Sequence, residues 1–297
     1  MMLKKLAVAV FLLALVPAAN AEIIYQKTSL YRNITVTDDG NRTCMQFASK
    51  GYYVSQQTCQ YNDDPDKLVF DYARLVMAGL LVNPNPERIL VIGLGGGTLP
   101  MTFHKLYPEA QIDSVEIDPA VVDVAKRFFD FEESENVKVI ARDGRVYVKQ
   151  AARFNRQYDY IILDAFNGDY IPEHLMTKEW LEEVKSILAP GGVLIANTFS
   201  ASRLYHNESV TYEAAFGWMK NVKQDSGNRV IITGDFDPIS REELIARAEE
   251  LQDPRFDPFG IDLEWTARQV RDDADWNREA RVLTDQYAPV NLLQGDN

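Results

Sequence analysis

The sequence contains few of the residues that build metal and redox centres. Its 297 residues include only two cysteines and three histidines. The cysteines, Cys44 and Cys59, lie too far apart in sequence to form a Cys-x-x-Cys pair, and three histidines do not complete a usual zinc set. We therefore expect no metal site and no dithiol redox site.

Positive charge is also scarce. The chain has 31 lysines and arginines against 44 acidic residues, which gives a formal net charge of -13. Proteins that bind nucleic acid present a basic surface to the phosphates, so no nucleic acid partner is expected. The negative excess attracts small cationic molecules, although acidity that serves only solubility is an open alternative.

Long apolar runs are absent after the N-terminus. There, Lys4 and Lys5 precede an apolar run from Leu6 to Val16, and small residues end the segment at Ala21. This pattern is typical of a cleavable signal peptide over residues 1–21. An uncleaved anchor is the alternative, but the run is shorter than the roughly 20 residues of a spanning helix. We expect an exported protein, periplasmic or secreted, without a membrane span after cleavage.

The first part of the mature chain has a β pattern. From Ile23 to about Gln60 the sequence alternates between polar and apolar residues, which predicts a small antiparallel sheet in a domain over residues 22–67. Cys44 and Cys59 lie on two β-prone runs about a turn at Ser49 to Gly51. Because export places them in an oxidising compartment, we expect a disulfide between them.

The rest of the chain, residues 68–297, predicts one α/β domain. Leu68 to Val82 has the apolar spacing of a helix, which the prolines of "NPNPE" end. Strand and helix patterns then alternate from "RILVIGL" to "GVLIANTF", and a strand "NRVIITG" and an acidic helical region follow. Such alternation predicts a parallel sheet with helices on both faces.

A glycine loop follows the first strand of this alternation. "RILVIGL" leads into Gly95, Gly96 and Gly97, and glycines let a backbone approach a ligand at the carboxyl edge of an open sheet. The next strand ends in Glu116, whose carboxylate suits the two hydroxyls of a ribose. Thr98 stands where a dinucleotide fingerprint would have its third glycine, so a mononucleoside cofactor is favoured.

Acidic residues also end the next two strands. In "ARDGR", Asp143 and Gly144 offer a carboxylate and a backbone N–H to the amino group and a ring nitrogen of adenine. In "YDYIILDAFNGD", Asp164 ends the fourth strand. Together with the glycine loop and Glu116, these residues predict an S-adenosylmethionine-type fold.

These motifs resemble the spermidine synthase family of polyamine aminopropyltransferases, especially the spermidine synthase-like members that also occur fused to membrane transporters. The resemblance covers about Leu68 to Phe199, through "GGG", "VEIDP", "ARDGR", "IILDAFNGDYIPEHLMTKEW" and "LAPGGVLIAN". "LTDQYAPV" resembles the terminal motif of that subfamily. The resemblance implies a seven-stranded, mostly parallel, Rossmann-like methyltransferase sheet. It also implies aminopropyl transfer from decarboxylated S-adenosylmethionine to a polyamine such as putrescine, with methylthioadenosine as product; a homodimer stays open.

The resemblance also implies residue roles. The loop Gly95 to Gly97 would approach the nucleoside, and Glu116 would hold the ribose. Asp143 and Gly144 would hydrogen-bond adenine. Asp164 would align the attacking amine and help to deprotonate it. Three residues are candidates for binding the polyamine: Tyr72, Asn167 and Asp169.

Three positions depart from the family pattern. The glycine loop usually continues as G-G-G-D-G, where the aspartate meets the cationic amine of the cofactor, but here Thr98 follows Gly97. A second acid commonly follows the catalytic aspartate by three residues; here Asn167 takes that place, and Asp169 is a substitute. The family's Tyr-Gln pair is matched by Tyr72 alone. A methyltransferase and a non-catalytic exported polyamine or nucleoside binder are therefore the alternatives.

Overall fold

The computed structural model describes residues 21–48, 54–166, 170–223 and 227–289. Within these ranges the strands are β1 Glu22–Thr28, β2 Asn33–Asp38, β3 Arg42–Ala48, β4 Val54–Tyr61, β5 Arg88–Ile92, β6 Gln111–Glu116, β7 Val137–Ala141, β8 Tyr158–Leu163, β9 Leu188–Phe199, β10 Lys220–Lys223 and β11 Asn228–Gly234. The α-helices are α1 Asp71–Val76, α2 Thr98–Leu106, α3 Pro119–Phe128, α4 Gly144–Arg153, α5 Lys178–Ser186, α6 Tyr205–Phe216, α7 Arg241–Glu250 and α8 Leu263–Gln269. Residues 1–20 of the predicted signal peptide lie outside the described residues.

Strands β1 to β4 form an antiparallel sheet in the order β1-β2-β3-β4. Cys44 on β3 lies directly opposite Cys59 on β4, and their sulfur atoms are bonded, as the hairpin pattern predicts. The predicted turn at Ser49 to Gly51 lies outside the described residues. This small sheet therefore carries a covalent link between its last two strands.

The larger sheet has seven strands in the order β10-β11-β9-β8-β5-β6-β7. Strands β5 to β9 are parallel to one another, whereas β11 pairs antiparallel with β9 and β10. The predicted seven-stranded, mostly parallel sheet is confirmed. The chain order reverses between β5 and β8, and ligands of open α/β sheets bind beyond the carboxyl ends of strands at such a point.

The first helix is shorter than the sequence pattern predicts. One helix is expected over Leu68 to Val82, but α1 ends at Val76 and a 3₁₀ segment, Met77–Leu81, follows. The hydroxyl of Tyr160 donates to the carbonyl of Val76 at 2.6 Å, and its ring occupies the space that a Cβ on Gly79 would need. Helical periodicity does not reveal a contact with so distant a strand.

The N-terminal sheet packs against α3. Its apolar face shares a buried cluster with that helix: Ile34, Val36, Met45, Phe47, Val121, Val124 and Phe129. Asp118, which is 1% exposed, caps α3 through Ala120 N–H at 2.9 Å and accepts a second hydrogen bond from the hydroxyl of Ser29. The contact places β2 to β4 beside the carboxyl ends of β5 and β6.

The described residues contain neither a membrane-spanning helix nor a cluster of metal ligands. None of the helices in these ranges has the length and apolar character to cross a membrane. In the same ranges, no group of three or more histidine, cysteine or carboxylate side chains converges as a metal site.

Candidate active site

The carboxyl ends of β5, β6, β7 and β8 border one cleft. The cleft holds about 820 Å³ of space, including its opening to solvent. Strand register brings the ends together, because Ile92 pairs with both Val115 and Leu163, and Glu116 pairs with Ala141. The predicted site residues that line the cleft are Tyr72, Gly95, Glu116, Asp143, Gly144 and Asp164. Asn167 and Asp169 lie outside the described residues.

The glycine loop is shaped by the protein's own packing as much as by the cleft. Gly95 and Gly97 have positive φ angles of 55° and 83°, which favour glycine. A Cβ on Gly96 would overlap Thr58, and a Cβ on Gly97 would meet the ring of Phe131 at 2.5 Å. Gly95 borders the cleft, whereas Gly96 and Gly97 are not among its lining residues. Packing is thus by itself a sufficient reason for glycine at these two positions, and their approach to a nucleoside stays a prediction.

A further glycine holds two strand ends close together. Gly93 has a φ angle of 105°, and any Cβ at this position would overlap the carbonyl oxygen of Asp164. The backbone N–H of Asp164 donates to the carbonyl of Ile92 at 2.8 Å. Gly93 therefore lets the loop after β5 lie directly against the residue that ends β8.

Glu116 is fixed by backbone donors. Its two carboxylate oxygens accept hydrogen bonds from the N–H of Leu94 at 3.2 Å and of Asp118 at 3.0 Å. The side chain is 7% exposed, and this burial raises the pKa of the carboxyl, whereas the two donors and Arg32 lower it. Glu116 lines the cleft and each of its oxygens can accept a further hydrogen bond, so the carboxylate suits a pair of hydroxyls.

Asp143 is the N-cap of α4. One oxygen accepts from Val146 N–H at 2.9 Å, and the other lies 2.8 Å from Nε2 of His174. Gly144 is the first residue of the helix, and its Cα lies against Ile92, where a side chain would not fit. The first N–H groups of a helix have no intrahelical acceptor, so they suit a ligand acceptor.

Asp164 lies between two neutral donors. Asn197 Nδ2 donates to one carboxylate oxygen at 2.8 Å and the Tyr72 hydroxyl donates to the other at 3.3 Å. Asn228 Nδ2 donates to the Asn197 oxygen at 3.1 Å, so the Asn197 amide presents its NH₂ to Asp164. Burial raises the pKa of Asp164 to about 7, although both hydrogen bonds oppose the shift. A carboxylate with that pKa accepts and releases protons near neutral pH.

Arg32 is a cleft residue that the sequence analysis missed. Its side chain is 10% exposed, lies over the ring of Phe47 at 4.4 Å and donates from Nη1 to the carbonyl of Phe166 at 3.3 Å. Its Nε lies 3.8 Å from a carboxylate oxygen of Asp118. No motif surrounds Arg32, and only the docking of the N-terminal sheet brings it to the cleft.

Three more residues were missed, and their sequence signals differ. Thr58 accepts the N–H of Gly96 at 3.0 Å and comes from a distant segment without a motif. His174 contacts Asp143 and lies within the motif "IILDAFNGDYIPEHLMTKEW", but nothing in that motif assigned it a role. Asn197 did have a signal. Ala196 pairs with Leu163 in the parallel register, so the next residue of β9 lies beside Asp164.

Comparisons with protein families and with curated proteins point to the same family. A model of the spermine/spermidine synthase domain matches residues 70–233. The polyamine aminopropyltransferase of Vibrio vulnificus is 49% identical over 276 residues, which cover 92% of this chain and 91% of that protein. The likeness therefore extends beyond the cleft to nearly the full length of both chains.

Solved structures of two kinds share the fold. A probable spermidine synthase from Corynebacterium glutamicum aligns with a TM-score of 0.65 and 21% identity over 85% of this chain and 97% of its own. Human methyltransferase-like protein 13, in complex with SAH, aligns with a TM-score of 0.56 and 28% identity over 69% of this chain and 96% of its own. The first likeness, at its low identity, shows the fold alone.

Proposed function

Because the chain belongs to the spermine/spermidine synthase family, we propose that it transfers an aminopropyl group from decarboxylated S-adenosylmethionine to a polyamine such as putrescine. The resemblance that the sequence motifs indicated is thereby confirmed. The observation that carries the proposal is Asp164, which lies at the cleft between Tyr72 and Asn197 with a pKa of about 7. It is the group that such a reaction needs beside the donor.

The nucleoside of the donor is assigned to the ends of β5, β6 and β7. Glu116, already oriented by two backbone N–H groups, would accept hydrogen bonds from the ribose hydroxyls. Asp143 and the first turn of α4 would hydrogen-bond adenine. Gly95 borders the same space, where the sulfonium part of the donor would lie. Methylthioadenosine, which shares the nucleoside, would bind to the same residues.

The amine reacts as a neutral nucleophile. A free amine with a pKa of about 10 is protonated at neutral pH, so it must lose a proton to a base. Asp164 would take that proton and hold the nitrogen in line with the aminopropyl carbon. The nitrogen lone pair then forms the new C–N bond while the C–S bond breaks and its electrons return to sulfur, which leaves neutral methylthioadenosine. Positioning and electrostatics provide most of the catalysis in such a displacement.

The test is a product assay with a matched variant. Purified protein is incubated with decarboxylated S-adenosylmethionine and putrescine, cadaverine or spermidine, and methylthioadenosine is followed by mass spectrometry. We expect Asp164→Asn to lose turnover but to bind methylthioadenosine as the wild type does. Asp159→Asn is the control, because Asp159 lies at the other end of β8 and accepts from the N–H groups of Glu87 and Arg88. Turnover in Asp164→Asn would refute the assigned role of the carboxylate.

Methyl transfer is the second candidate, favoured by one observation at the cleft. Thr98, the first residue of α2, lines the cleft where the family usually has an aspartate, so no acid there selects the ammonium of the decarboxylated donor. The likeness to the SAH-bound human methyltransferase-like protein also favours methyl transfer. If S-adenosylmethionine is consumed and a methylated acceptor appears, this candidate replaces the first.

Thr98→Asp separates the two donors further. In an aminopropyltransferase it lowers the KM of decarboxylated S-adenosylmethionine by about fivefold, since an ion pair or charged hydrogen bond contributes about 1 kcal/mol in a partly exposed site. It leaves the affinity for methylthioadenosine, which has no ammonium, unchanged.

If the wild type forms no product while calorimetry shows micromolar binding of a polyamine, the protein is a binder.

We also propose that residues 1–21 direct export and are then removed. The charged and apolar pattern of the N-terminus supports this, and the Cys44–Cys59 disulfide is consistent with an oxidising compartment. Mass spectrometry of the protein from a periplasmic extract is expected to give Glu22 as the first residue and no free thiol. A chain that retains Met1 in the cytoplasmic fraction would contradict export.

A further inference from the structure

The motif "LTDQYAPV" has no part in the proposed chemistry, yet its described residues, 283–289, lie against a segment that borders the donor cleft. They contact the segment of residues 170–177, named the strap here, which connects the end of β8 to α5. Pro172, His174 and Leu175 of the strap line the cleft. The C-terminal segment, residues 283–287, lies on the other side of the strap.

Apolar contacts join the two segments. Leu283 is fully buried and forms a cluster with Met176 of the strap and with Leu204, and Tyr170, Ile171 and Tyr287 pack around it. The backbone N–H of Lys178 donates to the carbonyl of Leu283 at 2.9 Å. The C-terminal segment is thus hydrogen-bonded to the first residue of α5, where the strap ends.

A single arginine connects the C-terminal segment to the strap. Arg145 Nε and Nη2 donate to Glu183 at 2.8 Å each, and Nη1 and Nη2 donate to Asp285 at 2.7 and 2.8 Å. The remaining Nη1 proton reaches the carbonyl of His174 at 3.3 Å. All five N–H donors of a guanidinium are therefore in use, and the Arg145 side chain is only 11% exposed.

Asp285 holds the strap at a second point. One of its oxygens accepts from the hydroxyl of Thr177 at 2.7 Å, and its N–H donates to Glu179 at 3.0 Å. Thr177 is also the N-cap of α5, through Trp180 N–H at 3.2 Å. The pKa of Asp285 is lowered, above all by its hydrogen bonds from Arg145. The carboxylate therefore remains charged over the pH range of an assay.

The strap continues this set of contacts into the cleft. The carbonyl of His174 accepts the hydrogen bond from Arg145. The ring of the same residue lies with Nε2 2.8 Å from the Asp143 carboxylate. Asp143 precedes Arg145 by two residues and caps the same helix. We propose that Asp285 is a positioning residue for the donor: through Arg145 and Thr177 it fixes His174, and thereby the carboxylate assigned to adenine. The inference deepens the proposed function and rests on it for the identity of the ligand.

The kinetic test compares Asp285→Asn with Asp272→Asn. Asp272 is a fair control because its side chain is 40% exposed, against 43% for Asp285, and pairs with Lys220 far from the cleft. We expect Asp285→Asn to raise the KM of the donor by about three- to tenfold, as for a partly exposed charged hydrogen bond. The kcat at saturating donor and the KM of the amine stay unchanged. A fall in kcat without a change in donor KM would overturn the proposal.

A second measurement does not depend on turnover. Amide hydrogen exchange of residues 173–177 is expected to be faster in Asp285→Asn than in wild type and unchanged in Asp272→Asn, with calorimetric affinity for methylthioadenosine falling in parallel. If exchange of the strap is the same in both variants, Asp285 does not position it. If exchange is faster but the wild type binds neither donor nor methylthioadenosine, the proposed function fails while the contact between strap and C-terminal segment stands.

Discussion

At the scale of single residues, the burial of Asp164 makes its carboxylate a better base but lowers the stability of the folded chain at neutral pH. Tyr72 and Asn197 donate to the carboxylate, but neither carries a charge that compensates its burial. The pKa of Tyr72 is raised well above its usual range by burial and by Asp164, so its hydroxyl remains a donor. A counter-ion in place of either residue would lower the pKa of Asp164 and make it a weaker base.

The pH dependence of stability follows from this shift. The pKa of Asp164 is about 7 in the folded chain and about 4 in the unfolded chain, so the folded state holds the proton more tightly. The resulting stability is fully present below pH 4 and is lost as pH rises to about 7. Asn at this position does not titrate. Between pH 5 and pH 8, the unfolding free energy of wild type should therefore fall by about 3 kcal/mol relative to that of Asp164→Asn.

Denaturant unfolding at the two pH values measures this difference. In the same range, kcat/KM of the wild type should rise with pH and level off above about 7, because the base must be unprotonated. A stability difference that does not vary between pH 5 and pH 8 would show that Asp164 has an ordinary pKa.

The residues that could be predicted share one property. Glu116 ends a parallel strand, and Asp143 and Asp164 each follow the end of one within two residues. Parallel strands place their carboxyl ends at one edge of a sheet whatever the loops do. Arg32 and His174 reach the cleft only through docking of the N-terminal sheet and through the strap. Contacts between segments so distant in sequence leave no periodic pattern, so a single sequence does not reveal them.

At the scale of elements, the glycine loop joins β5 to α2 and contacts three neighbours. Thr58 of β4 accepts a loop N–H, Gly93 lies against the end of β8, and Phe131 after α3 packs on Gly97. The sequence predicted the loop but assigned its glycines to ligand approach. Gly96 packs on Thr58 of the N-terminal sheet and Gly97 packs on Phe131, so the loop conformation also serves packing within the protein.

Alanine at Gly97 tests this packing against alanine at Gly191. Both glycines have positive φ angles, 83° and 75°, but only Gly97 has a buried ring against it, while nothing lies within 4 Å of a Cβ at Gly191. We expect Gly191→Ala to reduce the unfolding free energy by about 1 kcal/mol, from backbone strain alone. Gly97→Ala should reduce it by about 3 kcal/mol, because overpacking adds to the strain.

Urea denaturation of the two variants gives the comparison directly. Calorimetry with methylthioadenosine extends it to function, since a displaced loop also moves the cleft wall at Gly95. Equal losses of stability at Gly97 and Gly191 would mean that the Phe131 ring moves aside at no cost, and the loop would then not depend on this contact.

At the scale of the whole molecule, segments that precede and follow the larger sheet in sequence contribute to the same cleft, directly or through a neighbouring segment. The N-terminal sheet brings Arg32 and Thr58, and the C-terminal segment holds the strap through Asp285. The central sheet provides the three carboxylates. Around all of this the chain carries a net charge of -13. A cationic amine therefore approaches a surface whose overall field attracts it.

That field predicts a salt dependence specific to the cationic substrate. At pH 8, where Asp164 is ionised, kcat/KM for a diamine should fall by about threefold to tenfold between 20 and 300 mM salt, because a Debye length shrinks from roughly 20 Å to about 6 Å. The affinity for methylthioadenosine, which is neutral, should stay constant over the same range and serves as the control. If kcat/KM for the diamine does not respond to salt, then the acidity of the chain serves solubility, and recognition of the amine depends on the cleft residues alone.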